Sequence, residues 1–176
     1  KNKMNEMTKK VKKSKDFFNT NKFFLGRKNI MDYLEEFDKL KSKVLKYTLY
    51  KKRSEAEIKR KFAEFSSEML DNVIEELKEN GYIDDNIYIE KTVKEYQRLK
   101  NLSIRELEYK LLSKGINKKD IENYIYNNKE ELLEYEINSA KNIFLKKQTI
   151  MEKDEIISYL NKKGYLSDSI KLAQED

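Results

Sequence analysis

The chain has 176 residues, of which 40% are charged and 38% hydrophobic, with only four Gly and no Pro, Cys or His. The absence of Cys excludes a disulfide framework and a thiolate metal site, and without His the usual acid-base catalyst and metal ligand near neutral pH is missing. We expect a mainly helical protein that is not an enzyme and holds no cofactor or metal. Apolar runs end after a few residues, so we expect a cytoplasmic protein without a membrane partner.

Residues 1–28 are predicted to form a basic N-terminal arm. Residues 1–40 contain 11 Lys or Arg and 6 Asp or Glu, so this stretch carries +5 of the net charge of +6. The run from Lys9 to Lys15 is typical of a solvated tail, and it also suits an arm that approaches nucleic-acid phosphates. Both interpretations stay open. Because the chain begins at Lys1 rather than Met, we expect a fragment or a processed start.

One pattern of helix opening occurs three times after the arm. It begins at Ser54, Ser103 and Glu152, which are 49 residues apart, and apolar residues follow at the same two places each time. Such a period is typical of stacked helical units that cannot bury their apolar faces alone. We predict an all-α tandem array of three three-helix repeats, forming an elongated molecule that is straight or curved. The predicted repeats are residues 29–83, 84–128 and 129–176.

The first repeat begins with an amphipathic helix that runs to about Tyr50. Ser54 and Glu57 then match a capping box, in which the side chain of each residue bonds the backbone amide of the other. Ile58 and Phe62 of this second helix must face the protein core, so the basic residues between them point away from the core. The third helix is predicted to end at Gly81.

In the second repeat, Asp84 and Asp85 are predicted to cap the first helix, and a divalent metal site is the weaker alternative. Ser103 and Glu106 match a second capping box, and their helix is predicted to end at Gly115. These signals repeat the plan of the first repeat in order and length.

The third repeat is the least regular of the three. Thr149 and Glu152 also match a capping box, which would start the second helix a turn early. This helix is predicted to end at Gly164, and a short last helix follows.

Several of these segments resemble the RecX family of bacterial recombination regulators. The resemblance is carried by residues 50–58 (Tyr-Lys-Lys-Arg-Ser-Glu-Ala-Glu-Ile), by residues 77–85 (Leu-Lys-Glu-Asn-Gly-Tyr-Ile-Asp-Asp), and by Glu106-Leu107 with Lys114-Gly115-Ile116. It extends from about Leu45 to the end of the chain. The resemblance implies tandem three-helix repeats and a protein that binds RecA filaments and modulates, usually inhibits, the RecA ATPase and strand exchange. Roles in homologous recombination, DNA repair and the SOS response are implied with it.

One segment departs from the family pattern. The family usually has a Lys-Gly-aromatic link after the second helix of repeat one, whereas this chain reads Phe62-Ala63-Glu64-Phe65-Ser66. Because the glycine is absent and the segment is about two residues shorter, we expect a shorter helix there.

Basic side chains around the second helices of repeats one and two are the candidates for binding an acidic protein surface or DNA phosphates. These candidates are Lys51, Lys52, Arg53, Lys59, Arg60, Arg98, Lys100, Arg105, Lys110 and Lys114. The alternative is a solvated helix surface whose charge is balanced by Glu55, Glu57 and Glu64.

The leading functional hypothesis is a monomeric regulator that binds the RecA filament. A second hypothesis is a direct binder of single- or double-stranded DNA without a RecA-specific role, in which a helix enters a major groove. A third is a scaffold for an unrelated protein. A steep fall of DNA affinity with salt would favour the second hypothesis.

Overall fold

A computed structural model of the chain describes residues 30–175. Within that range all regular secondary structure is helical and forms nine helices. They are α1 (Ile30–Tyr50), α2 (Glu55–Lys61), α3 (Ser67–Glu79), α4 (Asp85–Leu99), α5 (Ile104–Ser113), α6 (Lys118–Asn127), α7 (Lys129–Lys147), α8 (Lys153–Lys163) and α9 (Ser167–Leu172). The predicted all-α fold class is confirmed. The predicted basic arm at residues 1–28 lies outside the described residues.

A division into two compact units falls after Ser42, inside α1. Of the first unit the structure describes residues 30–42, where the rings of Tyr33 and Phe37 stack with centroids 6.4 Å apart. The second unit begins at Lys43 and holds the other eight helices. All the sites discussed below belong to this second unit. The helix order is compatible with three-helix repeats, and the three repeat ranges stay a prediction.

Capping serines start two of the helices where the sequence predicts them. Ser54 Oγ accepts the amide hydrogen of Glu57 at 3.1 Å, and the Ser54 amide donates to Glu57 Oε2 at 3.3 Å. Ser103 and Glu106 form the same two bonds at 3.0 and 3.3 Å. Both predicted capping boxes are therefore confirmed, and they fix where α2 and α5 begin.

The start of α8 differs from one prediction. Its capping box joins Glu152 to Glu155, and the helix begins after Glu152. The early start predicted from Thr149 is wrong, because the chain before Glu152 is still a turn in which the Met151 amide donates to the Lys147 carbonyl at 2.9 Å.

We call α1–α3, α4–α6 and α7–α9 the first, second and third helix groups. The second helix of the first group is short, as predicted. α2 has 7 residues, whereas α5 and α8 have 10 and 11. Gly115 and Gly164 follow α5 and α8 with φ of 79° and 83°. After α2 this glycine turn is replaced by a turn in which the Phe65 amide donates to the Phe62 carbonyl at 3.1 Å.

Buried apolar side chains pack between the helices. Ile58 and Phe62, which were predicted to face the core, are 0% and 7% exposed. The cluster of the second group contains Tyr88, Ile89, Val93, Leu102, Leu107, Leu111, Ile116 and Ile121, together with Leu132 of α7. Because Leu132 belongs to the third group, this core continues from α4–α6 into α7. No helix within residues 30–175 is long and apolar enough to cross a membrane.

Candidate interaction surface

Two equivalent sets of contacts link the second helices in series. We call the contacts between the start of α2 and the end of α5 the first joint. There Ser54 Oγ donates to the Lys114 carbonyl at 2.8 Å, and Lys114 Nζ lies 3.2 Å from Glu57 Oε1. The backbone of Gly115 lies against Ala56.

The second joint lies between the start of α5 and the end of α8. Ser103 Oγ donates to the Lys163 carbonyl at 2.8 Å, and Lys163 Nζ lies 2.8 Å from Glu106 Oε1. Gly164 lies against Arg105. Each residue of this joint stands 49 residues after its counterpart in the first joint.

Two adjacent aspartates cap two different helices. Asp84 Oδ1 accepts the amides of Asn86 and Ile87 at 2.8 and 3.1 Å, which confirms the predicted cap of α4. Asp85 Oδ1 instead accepts the Glu55 amide at 3.0 Å and so completes the start of α2 from across the first joint. Within residues 30–175 no group of three acidic side chains is placed to hold a metal ion.

At the second joint a fully buried carboxylate caps α5 in the way that Asp85 caps α2 at the first. Glu136 of α7 is 0% exposed and accepts three hydrogen bonds. The donors are the Ile104 amide at 2.8 Å, the Leu166 amide at 3.2 Å and the Ser169 hydroxyl at 2.7 Å. This carboxylate joins the start of α5 to the start of α9, and its three donors compensate for the loss of water.

Two of the predicted binding residues are used inside the fold. Lys59 forms ion pairs with Glu55 at 2.8 Å and with Asp71 at 2.9 Å, and these two hydrogen-bonded carboxylates raise the pKa of Lys59 above its usual value. Lys114 pairs with Glu57 in the first joint. Their charge is thus largely balanced, which matches the alternative interpretation of a neutralised helix surface at these positions.

Three candidates lie over aromatic rings, and one of them is Arg105, whose guanidinium carbon lies 5.6 Å from the ring centroid of Tyr109. The Arg53 guanidinium carbon lies 4.4 Å from the ring centroid of Tyr47, and Lys110 Nζ lies 5.6 Å from that of Tyr96. Arg53 Nε is buried without a hydrogen-bond partner among residues 30–175. Packing on a ring stabilises all three cations, and it restrains Arg53 more than Lys110.

Arg60 and Arg105 are exposed and lie on the two consecutive second helices. Arg60 Nε donates to the Ala56 carbonyl at 3.3 Å, and Arg105 Nη2 donates to the Tyr109 hydroxyl at 3.2 Å. Neither guanidinium forms an ion pair with a carboxylate in the described part of the chain. Ala56 and Arg105 occupy equivalent places opposite a joint glycine. Both cations are therefore available to a partner at known places along the row of helices.

The remaining candidates are exposed at two helix ends. Lys51 and Lys52 lie in the link between α1 and α2, and Arg98 and Lys100 lie at the end of α4. The Lys100 carbonyl accepts the Tyr135 hydroxyl at 2.9 Å, while the Lys100 side chain stays exposed. The ten candidates thus differ in their surroundings and do not come from one continuous stretch of the sequence.

Sequence reasoning missed the joint residues Lys163 and Glu136, and it predicted Asp85 as a cap of α4 whereas Asp85 caps α2. Lys163 was predictable from the sequence, because it stands 49 residues after Lys114 and the helix openings are separated by the same interval. No comparable signal relates Asp85 to Glu136. They are 51 residues apart, and Asp85 is the first residue of α4 whereas Glu136 lies well inside α7.

The fold and the joints define an all-α protein whose helix groups are linked in series by equivalent contacts. The chain is 33% identical over 151 residues to the Regulatory protein RecX of Finegoldia magna, covering 81% of this chain and 72% of that protein. It is 30% identical over 149 residues to the Regulatory protein RecX of Clostridium acetobutylicum, covering 77% and 68%. The chain therefore belongs to the RecX family, as its sequence motifs predicted. No protein-family model matches it.

Solved structures agree in fold. A crystal structure of regulatory protein RecX has a TM-score of 0.73 at 21% identity, covering 84% of this chain and 75% of that chain. The crystal structure of RecX from Lactobacillus salivarius has a TM-score of 0.69 at 19% identity, covering 81% and 96%. At these identities the likeness shows the fold alone.

Proposed function

We propose that this protein binds RecA filaments and inhibits the RecA ATPase and strand exchange, and so regulates homologous recombination and DNA repair in the cytoplasm. The observation that carries the proposal is family membership, since both curated relatives are named regulatory proteins. It acts by binding, as a monomer, and catalyses no reaction of its own.

The row of second helices is the surface proposed to meet the filament. Its exposed Arg60 and Arg105 have no internal carboxylate partner among residues 30–175, so they can pair with acidic side chains or phosphates without breaking an existing ion pair. The exposed Lys51, Lys52, Arg98 and Lys100 add to the positive field around them. A row of helices that spans neighbouring filament subunits would hinder the subunit movements that ATP turnover requires.

The test is the ATPase rate of RecA on single-stranded DNA as the protein is titrated in. The variant Arg60→Glu/Arg105→Glu should need about tenfold more protein for half-inhibition, which corresponds to a loss of about 1.4 kcal/mol of binding free energy. Circular dichroism should show unchanged helicity. The matched control is Lys146→Glu/Lys171→Glu, which changes the net charge equally at exposed positions of α7 and α9 and should change half-inhibition less than threefold.

Three outcomes would contradict parts of the proposal. Full inhibition by the folded double variant would show that Arg60 and Arg105 are not the binding residues. Inhibition only when the protein saturates the DNA would show competition for DNA and favour the DNA-binding alternative, with affinity falling by about one log unit per log unit of salt for each phosphate contact. Binding to neither RecA nor DNA would leave the scaffold hypothesis.

A further inference from the structure

The first helix of each following group caps the second helix of the group before it. Asp85 of α4 accepts the Glu55 amide at 3.0 Å, and Glu136 of α7 accepts the Ile104 amide at 2.8 Å. Glu55 and Ile104 are the first residues of α2 and α5. The same kind of contact is therefore made twice between successive helix groups.

On the second group, α7 adds apolar contacts to this cap. Leu132 belongs to the buried cluster of that group, and Tyr135 packs against the cluster. The Tyr135 hydroxyl also accepts the Leu102 amide at 3.0 Å. Leu132, Tyr135 and Glu136 follow one another at the i, i+3 and i+4 spacing, so they lie on the same face of α7. One helix face thus supplies both the apolar contact and the carboxylate.

The third group has an equivalent surface, which forms an open groove. This groove has a volume of about 530 Å³ and is lined by the end of α7, the start of α8 and the segment after α9. Within residues 30–175 no further helix group follows the third. Six residues of the lining stand 49 residues after a residue that belongs to the cluster of the second group or packs against it. These six are Leu145, Met151, Lys153, Ile156, Ala173 and Gln174.

The open groove leaves an apolar side chain exposed and a backbone amide uncapped. Leu145 is 64% exposed, whereas its counterpart Tyr96 is half-buried. The Lys153 amide at the start of α8 has no acceptor among residues 30–175, although its counterparts in α2 and α5 are capped by Asp85 and Glu136. The outer face of a terminal repeat is normally polar. This surface is therefore suited to a further helix.

Charge at the rim of the open groove favours a carboxylate on that helix. Lys153 replaces Ile104 of the second group, is exposed and forms no ion pair within residues 30–175. Glu152 replaces Ser103, and its carboxylate is engaged in the capping box with Glu155. A carboxylate that reached the Lys153 amide would also meet the Lys153 ammonium and the positive end of the α8 dipole.

We propose that the open groove binds an amphipathic helix of a partner protein, in the way that the second group binds α7. The partner helix carries a large apolar residue and, four residues later, a glutamate, which repeats the spacing of Leu132 and Glu136. Its apolar side chain packs against Leu145 and Met151, and its glutamate caps the Lys153 amide. This surface goes beyond the proposed function, because it does not involve the exposed arginines of α2 and α5 and is tested without RecA or DNA.

A peptide copy of α7 is the probe for the open groove. A synthetic peptide with the sequence of residues 129–140 contains both Leu132 and Glu136. Because so short a peptide must fold as it binds, we expect a dissociation constant of about 100 µM, measured by fluorescence anisotropy with the natural chain. The peptide variants Leu132→Ser and Glu136→Ala should each bind about tenfold more weakly or worse. Absence of binding at about 1 mM would overturn the proposal.

Substitutions in the chain show where the peptide binds. Leu145→Ser and Lys153→Glu change exposed residues of the open groove, and each should weaken binding by about tenfold or more. The matched controls Leu99→Ser and Lys162→Glu change exposed residues that do not line the groove, and they should keep the affinity within about twofold. Circular dichroism should show the same helicity for all four variants. Undiminished binding by both groove variants would overturn the proposal.

Two further measurements identify the occupant of the open groove. Met151 lines the groove, whereas Met69 is buried in α3. In a chain with labelled methionine methyl groups, the nuclear magnetic resonance signal of Met151 should shift when the peptide is added, and that of Met69 should not. Sedimentation of the free chain should show a monomer. A dimer that Leu145→Ser dissociates would show that a second copy fills the groove and would overturn the assignment to a partner helix.

Discussion

The hydroxyl of Ser54 donates to the carbonyl of Lys114 at 2.8 Å while it accepts the amide of Glu57 at 3.1 Å. Ser103 does the same with Lys163 at 2.8 Å and Glu106 at 3.0 Å. Both serines are 0% exposed. Each hydroxyl therefore starts its own helix and satisfies the carbonyl at the end of another, a combination that a carboxylate cap cannot provide because it has no hydrogen to donate.

Replacement of Ser103 by Asp should therefore destabilise the protein, although Asp is as good a helix cap as Ser in isolation. The carboxylate would face the Lys163 carbonyl with no hydrogen to donate, and we expect a loss of about 1–3 kcal/mol in the free energy of unfolding, similar to that of Ser103→Ala. Urea denaturation followed by circular dichroism measures it.

The control for this prediction is Ser66→Asp. Ser66 is the exposed cap residue of α3, and its side chain makes no capping bond. A new carboxylate there should leave stability unchanged or raise it by up to about 1 kcal/mol. If Ser103→Asp were as stable as the natural protein, the donated hydrogen bond would not matter for the joint.

The three left-handed glycines should respond to alanine in a definite order. Gly81 has φ of 74° and open space where a Cβ would lie, so Gly81→Ala should cost only the backbone strain of about 1–2 kcal/mol. At Gly115 the new methyl would overlap the Ala56 methyl, which is attached directly to the backbone of α2, and this overlap adds about 1–3 kcal/mol. Thermal unfolding should therefore show the lowest midpoint for Gly115→Ala.

Gly164→Ala should fall between the other two. Its methyl would lie 2.6 Å from Arg105 Cδ, and this flexible side chain can move away. The added variant Arg105→Ala should recover the part of the loss that comes from this overlap. A loss at Gly164 equal to that at Gly115, unaffected by Arg105→Ala, would contradict the explanation.

Glu136→Gln should be among the most destabilising single substitutions. The amide nitrogen of Gln cannot accept a hydrogen bond, so at least one of the donors Ile104, Leu166 and Ser169 would lose its partner in a fully buried site. We expect a loss of about 3 kcal/mol or more in the free energy of unfolding, measured by urea denaturation.

Asp85→Asn is the matched comparison at the first joint. Burial raises the pKa of Asp85, as does the nearby Glu55 carboxylate, although the bond from the Glu55 amide acts in the opposite direction. The charged form is thus disfavoured there, and the Asn carbonyl can still accept that amide. The change should stay below about 1 kcal/mol. Equal losses for the two variants would show that burial does not distinguish the two caps.

The local parts of this structure were predictable because their partners are three residues apart. The capping boxes of Ser54 with Glu57 and of Ser103 with Glu106 are recognisable from residue types and their spacing. The end of α5 is recognisable from the glycine that follows it. The joints are different, because Ser54 meets Lys114 across 60 residues. The 49-residue period relates each residue of the first joint to its counterpart in the second, at the helix ends as well as at the helix starts, but it does not reveal which start meets which end.

Helix geometry predicts which candidate side chains point away from the core, but it does not predict which of them pair with a carboxylate. Helix geometry places Lys59 and Arg60 away from Ile58, yet only the packing of α3 brings Asp71 within 2.9 Å of Lys59 and leaves Arg60 without such a partner. Likewise, Arg53 is an exposed cation in the sequence pattern, and the ring of Tyr47 that covers it comes from the preceding helix.

The ion pair of the first joint should give stability a dependence on acid. Burial acts to raise the pKa of Glu57, but the hydrogen bonds from Lys114 Nζ and the Ser54 amide outweigh it, so the pKa lies below its usual value of 4.5. The folded state therefore binds this proton less readily than the unfolded state does. Its stabilising contribution is complete above pH 4.5 and is lost as the pH falls through the lowered pKa.

The variant Glu57→Gln should be less stable than the natural protein at neutral pH, by up to about 1 kcal/mol, since Lys114 is 40% exposed and solvent screens the pair. The difference between the two proteins should shrink as the pH is lowered below 4.5, as measured by urea denaturation at a series of pH values. In a Lys114→Met background this pH dependence should weaken, because the main partner of Glu57 is gone. In a Lys163→Met background it should persist, because that lysine pairs with Glu106 in the other joint. A pH dependence that is the same in both backgrounds would show that the Glu57–Lys114 pair does not stabilise the first joint.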